Sequence, residues 1–165
     1  MRSKEIENLK TTFRLTRIQR SILIGMLLGD GHLETQNQGK TYRLKVEHSM
    51  NQKEYVEWLY EHFKNLVRTV PKEKMKMLGR KQHTSYSFTT YSLGIFRFYA
   101  QQFYVGRKKV IPKLISTLLD PVALAVWFMD DGSQKSVRHT TYIIHTLGYS
   151  KQDLDRVKSV LQEKF

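Results

Sequence analysis

The chain contains no cysteine, which excludes disulfides, thiolate zinc sites, cysteine nucleophiles and iron–sulfur clusters. Long apolar runs are also missing. The longest, Ile22–Leu28, is far too short to span a bilayer, so no membrane partner is expected. The six histidines show neither HxxxH nor HExxH spacing, and no Gly-x-Ser-x-Gly occurs. Gly39-Lys40-Thr41 has Glu34 where a phosphate-binding P-loop needs glycine. Acidic residues are scarce: 15 Asp and Glu stand against 28 Lys and Arg, leaving a formal charge of +13 on 165 residues. From Lys74 to Leu119 there is no acid at all, while Lys74, Lys76, Arg80, Lys81, Arg97, Arg107, Lys108, Lys109 and Lys113 are basic. Solubility is served by mixed signs, so such a block points to a polyanionic partner, nucleic acid above all.

What remains is an ordinary folded composition, 40% apolar and 26% charged, too apolar for disorder. Met1–Arg20 carries basic residues with Glu5 and Glu7 and no apolar block, so it reads as a basic arm rather than a secretory signal. A soluble intracellular protein is expected; whether its compartment is an organelle (mitochondrion or chloroplast) or the bacterial cytoplasm stays open.

Ser21–Gly29 is apolar on nearly every side and predicts a short buried helix. Thr41–Ser49 alternates, with Tyr42, Leu44, Val46 and His48 on one face and Arg43, Lys45, Glu47 and Ser49 on the other, the pattern of a half-buried strand. Asn51–Val67 has helical spacing through Tyr55, Trp58, Leu59, His62, Phe63 and Leu66, which places Trp58 in the core. Strands are expected near Lys74–Leu78 and Thr84–Tyr91, then a helix over Leu93–Val105 and a basic loop over Gly106–Pro112. Asp120-Pro121 is a helix start, with proline at the first helical position. Val122–Met129 is a second apolar helix. Strands follow at Gly132–Ser136 and Thr140–Leu147, and Ser150 with Asp153 opens a last amphipathic helix through Leu154, Val157, Val160 and Leu161. Helix, strand, strand, helix thus occurs twice, about a hundred residues apart, which reads as an internal duplication.

Both apolar helices end alike, in Leu28-Gly29-Asp30-Gly31 and Met129-Asp130-Asp131-Gly132. Glycine is a common way to stop a helix, but it leaves the acids unexplained. A carboxylate in the last turn meets the negative end of the helix dipole, at a cost of roughly 0.3–1 kcal/mol. Two such acids in the most apolar parts of a basic protein call for an offsetting cation. An oxygen-only donor set suits Mg²⁺, which takes one or two carboxylates plus phosphate. Gly25 and Gly29 lie four apart on one helix face and would let two helices cross at backbone distance.

Leu23-Ile24-Gly25-Met26-Leu27-Leu28-Gly29-Asp30-Gly31 and Leu124-Ala125-Val126-Trp127-Phe128-Met129-Asp130-Asp131-Gly132 resemble the two motifs of LAGLIDADG homing endonucleases, closest to the single-chain, two-motif branch. Lys109-Val110-Ile111-Pro112 resembles a further element of that branch, whose lysine lies near the active site. The resemblance implies an α+β fold of two αββαββα halves, duplicated about a pseudo-twofold axis, each laying a curved antiparallel sheet into the major groove of double-stranded DNA. It divides the chain into the arm 1–20, a first half 21–119 and a second half 120–165. Asp30 and Asp131 are then the catalytic metal ligands for two or three divalent ions, Mg²⁺ by the donor argument above. Gly29 and Asp130 stand beside them in the metal shell. Lys109 helps to organise the attacking water or to stabilise charge. Val126 and Asp130 stand where the first motif has glycine, so the helix crossing is expected to be asymmetric.

Arg43, Lys45 and Glu47 are the first candidates for DNA contact, being opposite the apolar strand face; Arg and Lys can read guanine and Glu can accept from cytosine. Lys74, Lys76, Arg80, Lys81, Ser85 and Ser87 are the second. The function implied is a site-specific, intron-encoded DNA endonuclease. Its alternative is a non-catalytic nucleic-acid binder or splicing maturase on the same fold, with intron RNA as partner. The second repeat reads as incomplete, without its last strand pair and second lysine. Nicking or binding, rather than full double-strand cleavage, is therefore expected of these 165 residues alone, and a monomer of a complete chain.

Overall fold

The structure is a computed structural model and describes residues 12–79, 81–136 and 138–165. Helix α1 covers Arg17–Leu28. It begins ahead of the expected Ser21 because Thr16 and Gln19 cap it reciprocally. Thr16 Oγ1 accepts from the Gln19 amide at 3.2 Å, and Gln19 Oε1 accepts from the Thr16 amide at 2.9 Å, which satisfies two donors at the helix start. Arg17 and Arg20 of the expected arm are therefore helical, while residues 1–11 lie outside the described residues. The chain divides into two compact units, and α1 belongs to both: the first takes the chain up to Gln19 with Asp30–Arg97, the second Arg20–Gly29 with Phe98–Phe165.

In the first unit, β1 (His32–Glu34), β2 (Arg43–Ser49), β3 (Lys72–Leu78) and β4 (Lys81–Thr89) form an antiparallel sheet in the order β1-β2-β4-β3. The expected alternation in β2 is found: Leu44, Val46 and His48 are buried, and Arg43, Lys45 and Glu47 are not. Helix α2 (Lys53–Phe63) packs across β2 and β4 with Tyr55, Val56, Leu59 and Phe63. Trp58 is not in this core. It is 42% exposed, lying along the helix flank, stacked on Tyr55 at 6.1 Å and edge-on to His62 at 4.8 Å. Val56, fully buried, takes the place that the spacing gave to Trp58.

The expected helix Leu93–Val105 is shorter and broken. A 3-10 turn (Gly94–Phe96) leads into α3 (Arg97–Phe103). In the second unit, Tyr104–Val105 then leave the helix as β5, pairing with β6 (Lys108–Lys109). Gly106 makes this turn with φ of 61°, a conformation that glycine adopts at little cost. The expected loop Gly106–Pro112 is thus partly a hairpin. After α4 (Ile115–Leu118) comes α5 (Pro121–Asp131), whose N-cap Asp120 accepts from the Ala123 amide at 2.9 Å. Strands β7 (Gly132–Ser136) and β8 (His139–Ile144) pair antiparallel. β8 ends before the expected Leu147 because its partner strand starts only at Gly132; the His145 amide still reaches the Asp131 carbonyl at 2.9 Å, but Asp131 already belongs to α5. Helix α6 (Lys151–Lys164), capped by Ser150, buries Val157 and Val160. The order α1-β1-β2-α2 recurs as α5-β7-β8-α6.

Candidate functional site

In the second unit α1 and α5 run side by side in the same direction. Near their starts Ser21 Oγ donates to Asp120 Oδ2 at 2.5 Å. Further along, a Cβ on Gly25 would lie 2.5 Å from the Ala123 carbonyl oxygen and 2.6 Å from Val126 Cβ. At the ends, a Cβ on Gly29 would lie 2.4 Å from Asp130 Cβ. Ser21, Gly25 and Gly29, each four apart, share one helix face, and their small size permits the approach. The crossing is asymmetric as expected, since both close-approach glycines belong to α1. Ser21 is a third member that sequence reasoning missed, although a small residue four before Gly25 was the signal.

Asp131 is the last residue of α5, and its carboxylate accepts from Trp127 Nε1 at 3.3 Å. A cavity of about 430 Å³ opens there, lined by Asp131, Lys109, Lys108, Gly29, His145 and Tyr149 among others. Lys109, carried on β6, donates from Nζ to the Gly29 carbonyl. The Tyr149 hydroxyl donates to the Leu28 carbonyl at 2.6 Å. Both carbonyls at the C-terminal end of α1 are thereby satisfied by side chains, one of them cationic, as the dipole favours. Burial, and after it the Asp131 charge, pushes the Tyr149 phenol well above its ordinary range, which keeps it a donor. Tyr149 and His145, whose ring lies 2.9 Å from Ser133 Oγ, carry no motif or spacing that would have singled them out.

Asp30 belongs to the first unit. Its side chain is 56% exposed, and its Oδ2 lies 3.8 Å from Nδ1 of His48. Burial lowers the His48 pKa, against the opposing pull of Asp30 and a hydrogen bond with Gln52. His48 is buried in the sheet's apolar face, as its position in the strand predicts, but its neighbour Asp30 was not legible from that spacing. Among the described residues no three His, Cys, Asp or Glu side chains cluster as a metal cage. Carboxylates supplied singly fit a hard cation that keeps several waters and completes its shell with phosphate oxygens.

The DNA candidates fall together on one surface. In an antiparallel sheet, directly opposed residues point the same way. The pairs Lys45↔Thr89, Glu47↔Ser87, Ser49↔Ser85, Lys74↔Ser85, Lys72↔Ser87 and Lys76↔His83 therefore define one face, which also takes Arg43 and Lys81. His32, Glu34 and Lys72 join it through their register; sequence reasoning missed all three. Arg80 lies outside the described residues. Ser87 requires a correction: it is 5% exposed, a short side chain on a central strand between Glu47 and Lys72, and cannot reach a ligand.

Charges on this face are interlocked. Arg43 donates from Nε and Nη2 to Glu34 Oε2 at 2.9 and 2.7 Å. Glu47 Oε1 accepts from Ser85 Oγ at 2.9 Å and Lys76 Nζ at 3.2 Å, and its Oε2 lies 3.5 Å from Lys45 Nζ and 3.6 Å from Lys74 Nζ. Burial pushes the Glu47 carboxyl up, but the hydrogen bonds from Ser85 and Lys76 and the charges of Lys74 and Lys76 outweigh it and bring it to about 2.

Residues 20–165 match the LAGLIDADG DNA endonuclease family. The chain belongs to that family. Its two LAGLIDADG motifs are α1 with Gly29-Asp30 and α5 with Gly132. It is 30% identical to the DNA endonuclease I-ChuI of Chlamydomonas applanata over 90% of its own length and 73% of that protein's. It is likewise 30% identical to the cytochrome b mRNA maturase bI2 of Saccharomyces cerevisiae, over 76% of this chain and 35% of the maturase. The solved structure of the homing endonuclease I-WcaI bound to its DNA recognition sequence matches 99% of this chain and 75% of that one, with a TM-score of 0.89 and 26% identity. The LAGLIDADG chain is thus an α+β protein of the homing-endonuclease fold. No helix among the described residues is long and apolar enough to cross a membrane.

Proposed function

We propose that this chain is a site-specific, divalent-metal-dependent DNA endonuclease that hydrolyses phosphodiester bonds. The observation that carries the reading is the meeting in one cavity of the Asp131 carboxylate with the Lys109 ammonium, in a chain of the LAGLIDADG family. Asp131 and, by its place in the first motif, Asp30 would each offer a carboxylate to Mg²⁺. When bound, that ion supplies positive charge at the scissile phosphate and activates water for in-line attack. The protein's own groups prepare the site. Trp127 orients Asp131, and Lys109, anchored on the Gly29 carbonyl, brings positive charge to a phosphate. The sheet face bearing Arg43, Lys45, Lys74, Lys76 and Lys81 binds the DNA major groove, where phosphate contacts supply affinity and base-edge contacts supply sequence.

A second reading, splicing of intron RNA, is favoured by the likeness to the yeast maturase. Cleavage of a plasmid library in Mg²⁺ and in Ca²⁺ separates the two. Selective cutting or nicking in Mg²⁺, lost in Asp131→Asn while binding in Ca²⁺ persists, is the expected result. Selective binding without metal-dependent cutting of any sequence would overturn the endonuclease reading in favour of the binder.

A further inference from the structure

Glu47 is an odd residue for a surface that meets DNA, since its charge repels phosphate. Its side chain is 21% exposed, while those of Lys45, Lys74 and Lys76 around it are 36%, 43% and 62% exposed. The carboxylate therefore lies beneath the ammonium groups, not beside them. A carboxylate offers about four lone-pair sites, and here Ser85 and Lys76 engage one oxygen while Lys45 and Lys74 flank the other. Both oxygens thus face the protein's own hydroxyl and ammonium groups, which crowd out a cytosine amine. Each lysine, in contrast, carries three N–H donors: Lys76 gives one to Glu47, while Lys74 and Lys45, the latter also 3.9 Å from Glu34 Oε1, are held as ion pairs. The three come from two strands, β2 and β3, on either side of β4, which supplies Ser85.

We infer that Glu47 is a positioning residue for sequence recognition: it gathers Lys45, Lys74 and Lys76 into one fixed donor array and itself touches no base. The inference rests on the reading of this face as the DNA-binding surface. Lysine is a flexible point charge that binds phosphate without regard to sequence; held at one end, it presents its donors in set directions. Arg43 is held in the same way by Glu34, but by a single partner. Glu47 thus lowers general attraction to DNA and raises discrimination among sequences.

That pairing of opposite effects is what the test reads. Affinities of wild type, Glu47→Gln and Glu47→Asp are measured by fluorescence anisotropy in Ca²⁺, so that duplexes stay intact. The probes are the best duplex selected from a random library by the wild-type protein and a random-sequence duplex. In Glu47→Gln, binding to random duplex is expected to rise a few-fold while binding to the selected duplex falls, narrowing the specificity ratio by roughly tenfold or more, the scale of one lost base contact. Glu47→Asp keeps the charge but withdraws the carboxylate by one methylene. It should leave random binding unchanged and still narrow the ratio. If both affinities rise together in Glu47→Gln and Glu47→Asp behaves as wild type, Glu47 is only a negative charge and the inference is overturned. Equal loss on both duplexes, with the specificity ratio unchanged, would assign it a structural role and overturn it as well. A wild-type protein that selects no duplex from the library fails the DNA-recognition reading itself and takes the inference with it.

Discussion

Gly25 of the first motif helix packs against Val126 of the second, so closely that a Cβ on the glycine would stand 2.6 Å from Val126 Cβ. The Ala123 carbonyl oxygen, at 2.5 Å from the same point, belongs to the backbone and cannot rotate away. Gly25→Ala is expected to destabilise the protein by about 2 kcal/mol or more, at the upper end of ordinary overpacking, lowering Tm by several degrees. Trimming Val126 to Ala in the same chain should restore little, because the carbonyl stays. A thermal melt of the two variants checks this; full recovery in the double variant would mean that the helices can shift apart.

Leu59 and Trp58 are neighbours on α2 with opposite environments. Leu59 is fully buried, whereas Trp58 is 42% exposed and held by ring contacts with Tyr55 and His62. Leu59→Ala should cost about 2–5 kcal/mol. Trp58→Ala should cost about 0.5–1.5 kcal/mol, the worth of an aromatic contact. Urea denaturation gives both numbers, and a larger cost at Trp58 would contradict the assignment of the core.

Much of this was legible in the chain. The strict alternation of β2 fixed which side chains face the core, because a slip of one residue would have buried Arg43 and Lys45. Asp120-Pro121 and Ser150 marked helix starts through capping chemistry that is local in sequence. What stayed hidden depends on partners far along the chain. Trp58 fits a helical apolar stripe, but only the sheet beneath decides which edge of the stripe is covered. Gly106 turns Tyr104–Val105 out of a helix because β6 is there to pair with them. Tyr149 reaches the Leu28 carbonyl across more than a hundred residues, and no spacing announces that. Ser85 and the lysines of β3 could be named as basic-face residues, but their convergence on Glu47 follows from strand order, which composition does not contain.

The Glu47 cluster makes stability depend on pH. Its carboxyl is lowered from 4.5 to about 2 in the folded protein, so the stabilisation is present above pH 4.5 and is lost as pH falls through the folded value. Glu47→Gln should accordingly be less stable than wild type at pH 7, where Lys45, Lys74 and Lys76 repel one another uncompensated. The gap in Tm should close between pH 4.5 and 2. A gap that is constant over that window would mean that shape, not charge, holds the cluster.

Tyr149→Phe removes one hydroxyl and leaves the ring. The Leu28 carbonyl loses a donor at 2.6 Å at the end of a buried helix, at an expected cost of about 1–2 kcal/mol. Equilibrium unfolding should register that loss. An unchanged free energy would mean that water replaces the phenol, and the cavity beside Asp131 is large enough to admit it.

On the proposed function, Lys109 is expected to bear on chemistry rather than stability. Its ammonium donates to the Gly29 carbonyl and lines the same cavity as Asp131, so it is held in place before any substrate arrives. A preorganised donor of this kind acts where charge develops in the transition state, and losing one typically costs about 10²–10³ in rate. Removing it subtracts only one positive charge from a very basic protein, so ground-state DNA affinity should change far less. Lys109→Met, which keeps the apolar stem, is expected to cut the selected duplex about 10²-fold or more slowly in Mg²⁺ and to bind it in Ca²⁺ nearly as well as wild type. Lys108→Met, altering the adjacent residue on the same strand, serves as the control for charge alone. Single-turnover rates beside anisotropy titrations separate the two effects. Equal losses in the two variants would reduce Lys109 to one more phosphate contact, and a loss confined to binding would remove it from the reacting centre.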